Sequence, residues 1–97
     1  MTNISPDELK ELLTNPTEIV VIDVRESWER ENNYIQNSVH IPLGELETSL
    51  PNLEKEKLIV TYCAHGIRSQ TACEILLQHG FKNVKSLQGG FAAYQAL

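Results

Sequence analysis

The 97-residue sequence predicts a single parallel α/β domain. Two observations carry that expectation. The apolar runs Glu18-Ile19-Val20-Val21-Ile22 and Leu58-Ile59-Val60-Thr61-Tyr62 lack polar alternation, as strands buried on both faces do. Around them stand segments with apolar residues at helical spacing, closed by proline or glycine. A chain of this length supplies one core and is too short for two. With 41% hydrophobic and 22% charged residues and no long polar linker, residues 1–97 are expected to fold as one unit.

The first helix is announced by Ser5 as N-cap, Pro6 at the first position, Glu8 completing a capping box and Ile4 stapling to Leu9. It should present Leu9, Leu12 and Leu13 to the core and stop at Asn15-Pro16. Strand Glu18–Ile22 then gives way abruptly to charge at Asp23-Val24-Arg25-Glu26, which marks its exit at the sheet edge where α/β proteins bind ligands. Asp23 and Arg25 are expected to tie down this turn, with Arg25 meeting Glu29 one helical turn on and a secondary effect on the nearby electrostatics. Ser27–Glu31 reads as a short helix with Trp28 as a core or hinge aromatic. Asn32-Asn33 and Asn37-Ser38 mark turns, because asparagine tolerates the left-handed conformation.

Val39–Pro42 is a short strand closed by proline. Leu43, Leu46 and Leu50 give an amphipathic helix ended by Pro51-Asn52, and Glu54–Lys57 is a solvated connector. Strand Leu58–Tyr62 leads to a long helix beginning near Arg68, with Ala72, Ile75, Leu76 and His79 on one face and Gly80 as its stop. Val84–Leu87 is the last strand. Gly89-Gly90 turns the chain, and Phe91, Tyr94 and Leu97 give a final helix its apolar face.

The chemistry is expected at Thr61–Ser69, the loop between that strand and the long helix. A tight loop there points backbone N–H groups inward, and together with the positive end of the helix dipole they form an anion site. A thiol at its rim ionises easily, so Cys63 reads as a reactive nucleophile. Gly66 supplies the tight turn. Cys73 lies too far along the helix to bridge Cys63, since a disulfide needs Cα atoms within about 7 Å, and it reads as a reduced core residue. His40 and His79 read as structural or surface histidines, and none of the three histidines has metal-ligand spacing. The net charge of −5 leaves no basic stripe for nucleic acid or an anionic membrane. No run approaches membrane-spanning length and the N-terminus does not resemble a signal peptide, so a reducing, cytoplasmic setting is expected.

Three separated stretches resemble the rhodanese family: Asp23-Val24-Arg25-Glu26 with Glu29 downstream, Ile41-Pro42-Leu43-Gly44-Glu45-Leu46, and Cys63–Ser69 in the form Cys-x-x-Gly-x-Arg-Ser. Gly80-Phe81, Val84, Leu87 and Gly89-Gly90 continue the pattern. The chain departs from it at Asn33-Tyr34-Ile35-Gln36-Asn37-Ser38, where relatives carry glycines, and at Tyr94, where they carry tryptophan. The resemblance implies a three-layer sandwich, with a central parallel sheet of about five short strands and helices on both faces. It also implies a sulfurtransferase of the thiosulfate:cyanide type, in which Cys63 takes sulfane sulfur from thiosulfate, glutathione persulfide or a polysulfide. The resulting Cys63 persulfide, held by the N–H groups of Ala64, His65, Gly66, Ile67, Arg68 and Ser69, passes its sulfur to a thiol or to cyanide without metal or organic cofactor. Arg68 would either hold an anionic donor or brace the loop against Asp23. His65 would either assist as a donor or lie exposed. A cysteine desulfurase or sulfur-carrier protein is the partner in the alternative of a protein-to-protein relay; a non-catalytic interaction module is the other alternative. A phosphatase or arsenate reductase of the same fold fits less well, because such enzymes use a loop one residue longer.

Overall fold

The computed structural model describes residues 3–15 and 18–97. In chain order the elements are β1 (Asn3–Ile4), α1 (Pro6–Leu12), β2 (Ile19–Asp23), α2 (Ser27–Asn32), β3 (Val39–His40), α3 (Leu46–Ser49), β4 (Leu58–Tyr62), α4 (Ile67–Gln78), β5 (Val84–Leu87) and α5 (Gly90–Gln95). All five strands are parallel, in the order β1-β5-β4-β2-β3. The expected three-layer α/β architecture is therefore present. The central strand β4 and its neighbour β2 are those whose sequences lacked polar alternation. Side chains of β4 explain why: Leu58, Val60 and Tyr62 join a cluster with Leu9 of α1 and Phe91 of α5. Ile59 and Cys63 join the opposite cluster with Leu46 of α3 and Ala72, Cys73 and Leu76 of α4. With both faces covered, every strand position can be apolar.

Several expectations are corrected. β1 was not anticipated, since two residues carry no periodic signal, yet Ile4 is buried and pairs with Leu87. The Ser5 capping box forms, with Glu8 N–H donating to Ser5 Oγ at 3.1 Å and Ser5 N–H to Glu8 Oε1 at 3.0 Å. Leu9 and Leu13 pack inward, but Leu12 is 42% exposed because α1 ends there, and it lines a groove beside Leu58. The stop at Pro16 lies outside the described residues. Trp28 is no core aromatic: it is 68% exposed, and α2 buries no residue at all. Polar contacts hold α2 instead.

The expected helix from Leu43 to Leu50 is one α turn flanked by 3₁₀ turns at Leu43–Glu45 and Leu50–Asn52. Pro51 has no N–H to extend it, and the Thr48 and Ser49 hydroxyls donate to Glu45 O at 2.9 and 3.0 Å, in competition with the backbone. Leu97 lies beyond α5 and is half-exposed, so Phe91 and Tyr94 alone form its packed face. Asn37 adopts φ 69°, the left-handed turn expected of it, whereas Asn33 is extended.

At the C-terminal edge of β2 a buried ionic cluster stands on the α1/α5 side of the sheet. The fully buried Asp23 carboxylate accepts from Arg25 N–H (2.9 Å), Arg25 Nε and Nη2 (3.0 Å each), Arg30 Nη1 (3.2 Å) and the Tyr62 hydroxyl (3.0 Å). Burial raises its pKa, but these donors prevail and hold it below the ordinary range. Arg25 continues to Asn33 O at 2.7 Å and stacks 4.7 Å above the Phe91 ring, so the cluster ties α2 and α5 to the sheet. Arg25 is not hydrogen-bonded to Glu29, since its fork is filled by Asp23 and Asn33; the expected pairing survives only as a charge effect of Arg25 that helps to lower Glu29.

Asp23→Asn leaves Arg25 buried without its counter-charge and should cost about 3–5 kcal/mol in urea denaturation. Because Asp23 is depressed in the folded state, its contribution is present above the unfolded carboxylate range and is lost as pH falls through the folded value. A loss below about 1 kcal/mol would mean that Arg25 finds water in the variant.

Candidate active site

Cys63 follows the last residue of β4 and is 1% exposed, at the floor of a shallow pocket of ≈ 310 Å³ lined by Cys63, Ala64, His65, Ile67 and Arg68. Gly66 is the N-cap of α4 at φ 104°, a conformation open to glycine, and its N–H donates to Cys63 Sγ at 3.1 Å. Burial raises the pKa of the Cys63 thiol. The Ser69 N–H and hydroxyl, then the Gly66 and His65 N–H groups, outweigh that and leave it below the ordinary cysteine value. These are the loop donors that act on the sulfur; the His65 side chain is exposed.

The loop takes this shape because its carbonyls have partners elsewhere. Phe91 N–H donates to Cys63 O at 2.8 Å and Ala92 N–H to Ala64 O at 3.1 Å, so the first turn of α5 draws both oxygens away from the sulfur. Such an approach requires glycine. A Cβ on Gly90, at φ 66°, would stand 2.6 Å from Cys63 O and from the carbonyl of Ala64. Gly90, read from the sequence as part of a turn and of the family pattern, thus seats the loop.

A buried hydroxyl chain supports the sulfur from beneath. Ser69 Oγ lies 3.7 Å from Cys63 Sγ and 2.6 Å from Ser86 Oγ. When the sulfur is anionic, Ser69 donates to it and Ser86 donates to Ser69. Thr61 donates to Ser69 O at 2.9 Å, which pins the first turn of α4 to β4. Thr61 and Ser86 are register partners on adjacent strands. Neither was singled out from the sequence; Thr61 is marked by being polar near the end of the apolar strand β4, whereas Ser86, beside Lys85 in β5, carries no such signal. Cys73 is a free, buried thiol 3.4 Å from Thr61 Oγ1, its pKa raised by burial, in the core role expected of it.

Arg68 is held by Glu29, not by Asp23. Its Nη1 and Nη2 donate to Glu29 Oε1 and Oε2 at 2.7 and 2.9 Å. The correction has a simple cause: Asp23 is saturated by Arg25, Arg30 and Tyr62, whereas Glu29 caps α2 at Glu26 N–H and presents its carboxylate toward α4. The Arg68 guanidinium lowers Glu29 from 4.5 to about 2, and Glu29 in turn raises Arg68. The ion pair therefore stabilises fully above about pH 4.5 and weakens as pH falls toward 2. His40 donates Nε2–H to Arg25 O at 2.8 Å and is structural. Among the described residues, no group of three or more His, Cys, Asp or Glu side chains is placed to hold a metal, and no helix is long and apolar enough to cross a membrane.

A loop of inward N–H groups thus surrounds a buried thiol at the C-terminal edge of a parallel α/β sheet. Comparison with known proteins narrows the class. The sequence profile of the Rhodanese-like domain matches residues 5–97, and the chain belongs to that family. It is 38% identical over 84 residues to the thiosulfate sulfurtransferase GlpE of Coxiella burnetii, covering 87% of this chain and 78% of that protein. The putative sulfurtransferase YtwF of Bacillus subtilis is 37% identical over 92 residues, covering 95% and 88%. The crystal structure of a rhodanese-related protein from Thermoplasma volcanium superposes with a TM-score of 0.89 at 34% identity, covering 99% and 92%.

Alkylation with iodoacetamide followed against pH should label Cys63 with a midpoint below the roughly 8.5 of a free cysteine, while Cys73 stays unlabelled in the folded protein. Ser69→Ala should move that midpoint upward; an unmoved midpoint would remove the hydroxyl chain from the account. Gly90→Ala should raise it as well, and should cost about 2 kcal/mol or more of stability because both loop carbonyls must shift.

Proposed function

We propose that this chain is a sulfurtransferase working through a persulfide on Cys63. The observation that carries the reading is the buried sulfur of Cys63, ringed by the N–H groups of Ser69, Gly66 and His65 with its pKa lowered. The thiolate attacks the outer sulfur of a donor. With thiosulfate the S–S bond breaks, sulfite leaves with the bonding pair and Cys63 carries the sulfane sulfur as a persulfide anion. The same N–H groups then face the terminal charge, preorganised as oxyanion-hole donors are. A thiol or cyanide attacks that terminal sulfur and releases the Cys63 thiolate. Both steps balance without metal, redox partner or organic cofactor.

Only Ala64, His65, Gly66 and Ile67 separate Cys63 from Arg68, a ring that fits one sulfur atom better than a tetrahedral phosphate. Two free thiols suit a reducing compartment, and the acidic chain suits neither nucleic acid nor an anionic membrane as partner.

Intact-protein mass after incubation with a sulfane-sulfur donor tests the reading. A gain of one sulfur, released by cyanide, lost in Cys63→Ser and kept in Cys73→Ser, is the expected result. Absence of the gain with every donor, or hydrolysis of an aryl phosphate by the unloaded protein, would overturn it and leave a binding module or a phosphatase.

A further inference from the structure

Resting on that reading, we infer that Ser86 is a positioning residue for the release of sulfur: its hydroxyl turns the Ser69 hydroxyl onto Cys63 Sγ, the atom that takes back the charge when an acceptor removes the outer sulfur. Val84 and Ser86 stand two residues apart in β5 and share a face. Val84 packs in the apolar cluster with Ile59, Ala72 and Leu76, so Ser86, 1% exposed, is a polar group set into a core face. Its Oγ lies 2.6 Å from Ser69 Oγ, its side-chain hydrogen-bond partner among the described residues. The two hydroxyls carry two hydrogens, and one arrangement places both. When Ser86 donates to Ser69, the Ser69 hydrogen is directed to Cys63 Sγ at 3.7 Å. In the reverse arrangement Ser69 donates to Ser86, whose own hydrogen is then buried without an acceptor. Thr61, the register partner of Ser86, donates to Ser69 O at 2.9 Å and holds the first turn of α4 in place for this alignment.

The hydroxyl pair acts on one sulfur of the two. Cys63 borders the pocket, whereas Ser69 and Ser86 are buried and take no part in its lining. Donors enter from the pocket, so the outer sulfur of the persulfide stands on that side, about 2 Å beyond Sγ. In the persulfide Cys63 Sγ is neutral and its contact with Ser69 is weak. As sulfur is released the charge returns to Sγ, and the same contact becomes charge-assisted. With cyanide as acceptor the step balances: a C–S bond forms, the S–S bond breaks, thiocyanate departs and the bonding pair stays on Cys63 Sγ. An interaction that strengthens along this path lowers its barrier. In loading the order is reversed. The thiolate begins with the support of Ser69 and gives it up on attacking the donor, so removing that support leaves a more nucleophilic sulfur.

Timing the two half-reactions separately by intact mass tests this role. Both are run at one pH above the iodoacetamide midpoint of every variant, so that unloaded Cys63 is thiolate throughout. Thiosulfate or glutathione persulfide loads the reduced protein, and the loaded protein, freed of donor, is discharged by cyanide. In Ser86→Ala discharge should slow about threefold while loading stays level or rises by up to about twofold. Ser69→Ala, which removes the hydroxyl next to the sulfur and leaves Ser86 in place, should slow discharge about tenfold, again without slowing loading. Ser86→Thr keeps a hydroxyl at the same strand position and should restore the wild-type ratio of the two rates. A serine that only fills space would slow both steps in proportion, or neither. Proportional slowing or an unchanged discharge rate in Ser86→Ala overturns the inference, and if that variant does not fold, an unchanged ratio in Ser69→Ala overturns it instead. If the wild-type protein loads no sulfur from either donor, it is the sulfurtransferase reading itself that fails.

Discussion

The site depends on two hydrogen bonds made by backbone alone, from Phe91 and Ala92 N–H to the carbonyls of Cys63 and Ala64. A peptide unit has one N–H and one C=O in opposed directions, so fixing the carbonyls outward commits N–H groups to point inward. Through the Ala64–His65 peptide unit that commitment aims the His65 N–H at Cys63 Sγ, and the left-handed Gly66 and the first turn of α4 add the Gly66 and Ser69 N–H groups. It requires the start of α5 to approach within contact distance of the loop, which only Gly90 permits. The position of α5 is in turn held by Phe91, packed on Tyr62 and stacked beneath Arg25. The buried Asp23–Arg25 pair, although it touches no sulfur, is thus part of the mechanical frame of the loop.

Legibility from sequence followed the range of the interactions. β2, β4 and α4 were readable because their signals are local: apolar runs without alternation, and a helical repeat closed by glycine. Cys63, Gly66 and the strand-to-helix junction were readable for the same reason. What sequence reading missed is held together across the fold. Glu29 and Arg68 are 39 residues apart, and nothing at either position says that they meet. Arg68 was expected either to hold an anionic donor or to brace the loop against Asp23, which is already saturated by Arg25, Arg30 and Tyr62. Ser86 and Thr61 become neighbours only through the β4–β5 register.

Trp28 illustrates a different failure. An aromatic in a short helix is ordinarily an anchor, because its area stabilises the helix on the core. Here α2 is anchored by ions instead: Arg30 to Asp23 and Ser38, Glu29 to Arg68, and the Glu26–Glu29 capping box. Those bonds fix which side of α2 faces the sheet and leave Trp28 outward. The residue expected to be structural is therefore free to contact something other than the core.

Charge at the mouth follows from the same division of labour. Positive potential at Cys63 comes from N–H groups and the N-terminus of α4, whose effect falls off within about one helical turn. The side chains that would extend that reach are tied to carboxylates: Arg25 and Arg30 share Asp23, and Arg68 is paired with Glu29. A site built this way stabilises a negative charge on the buried sulfur, where the Ser69, Gly66 and His65 N–H groups act. The loop therefore discriminates by where charge resides. It stabilises the Cys63 thiolate, whose charge lies within the ring of N–H groups, and gives no comparable support to charge outside that ring.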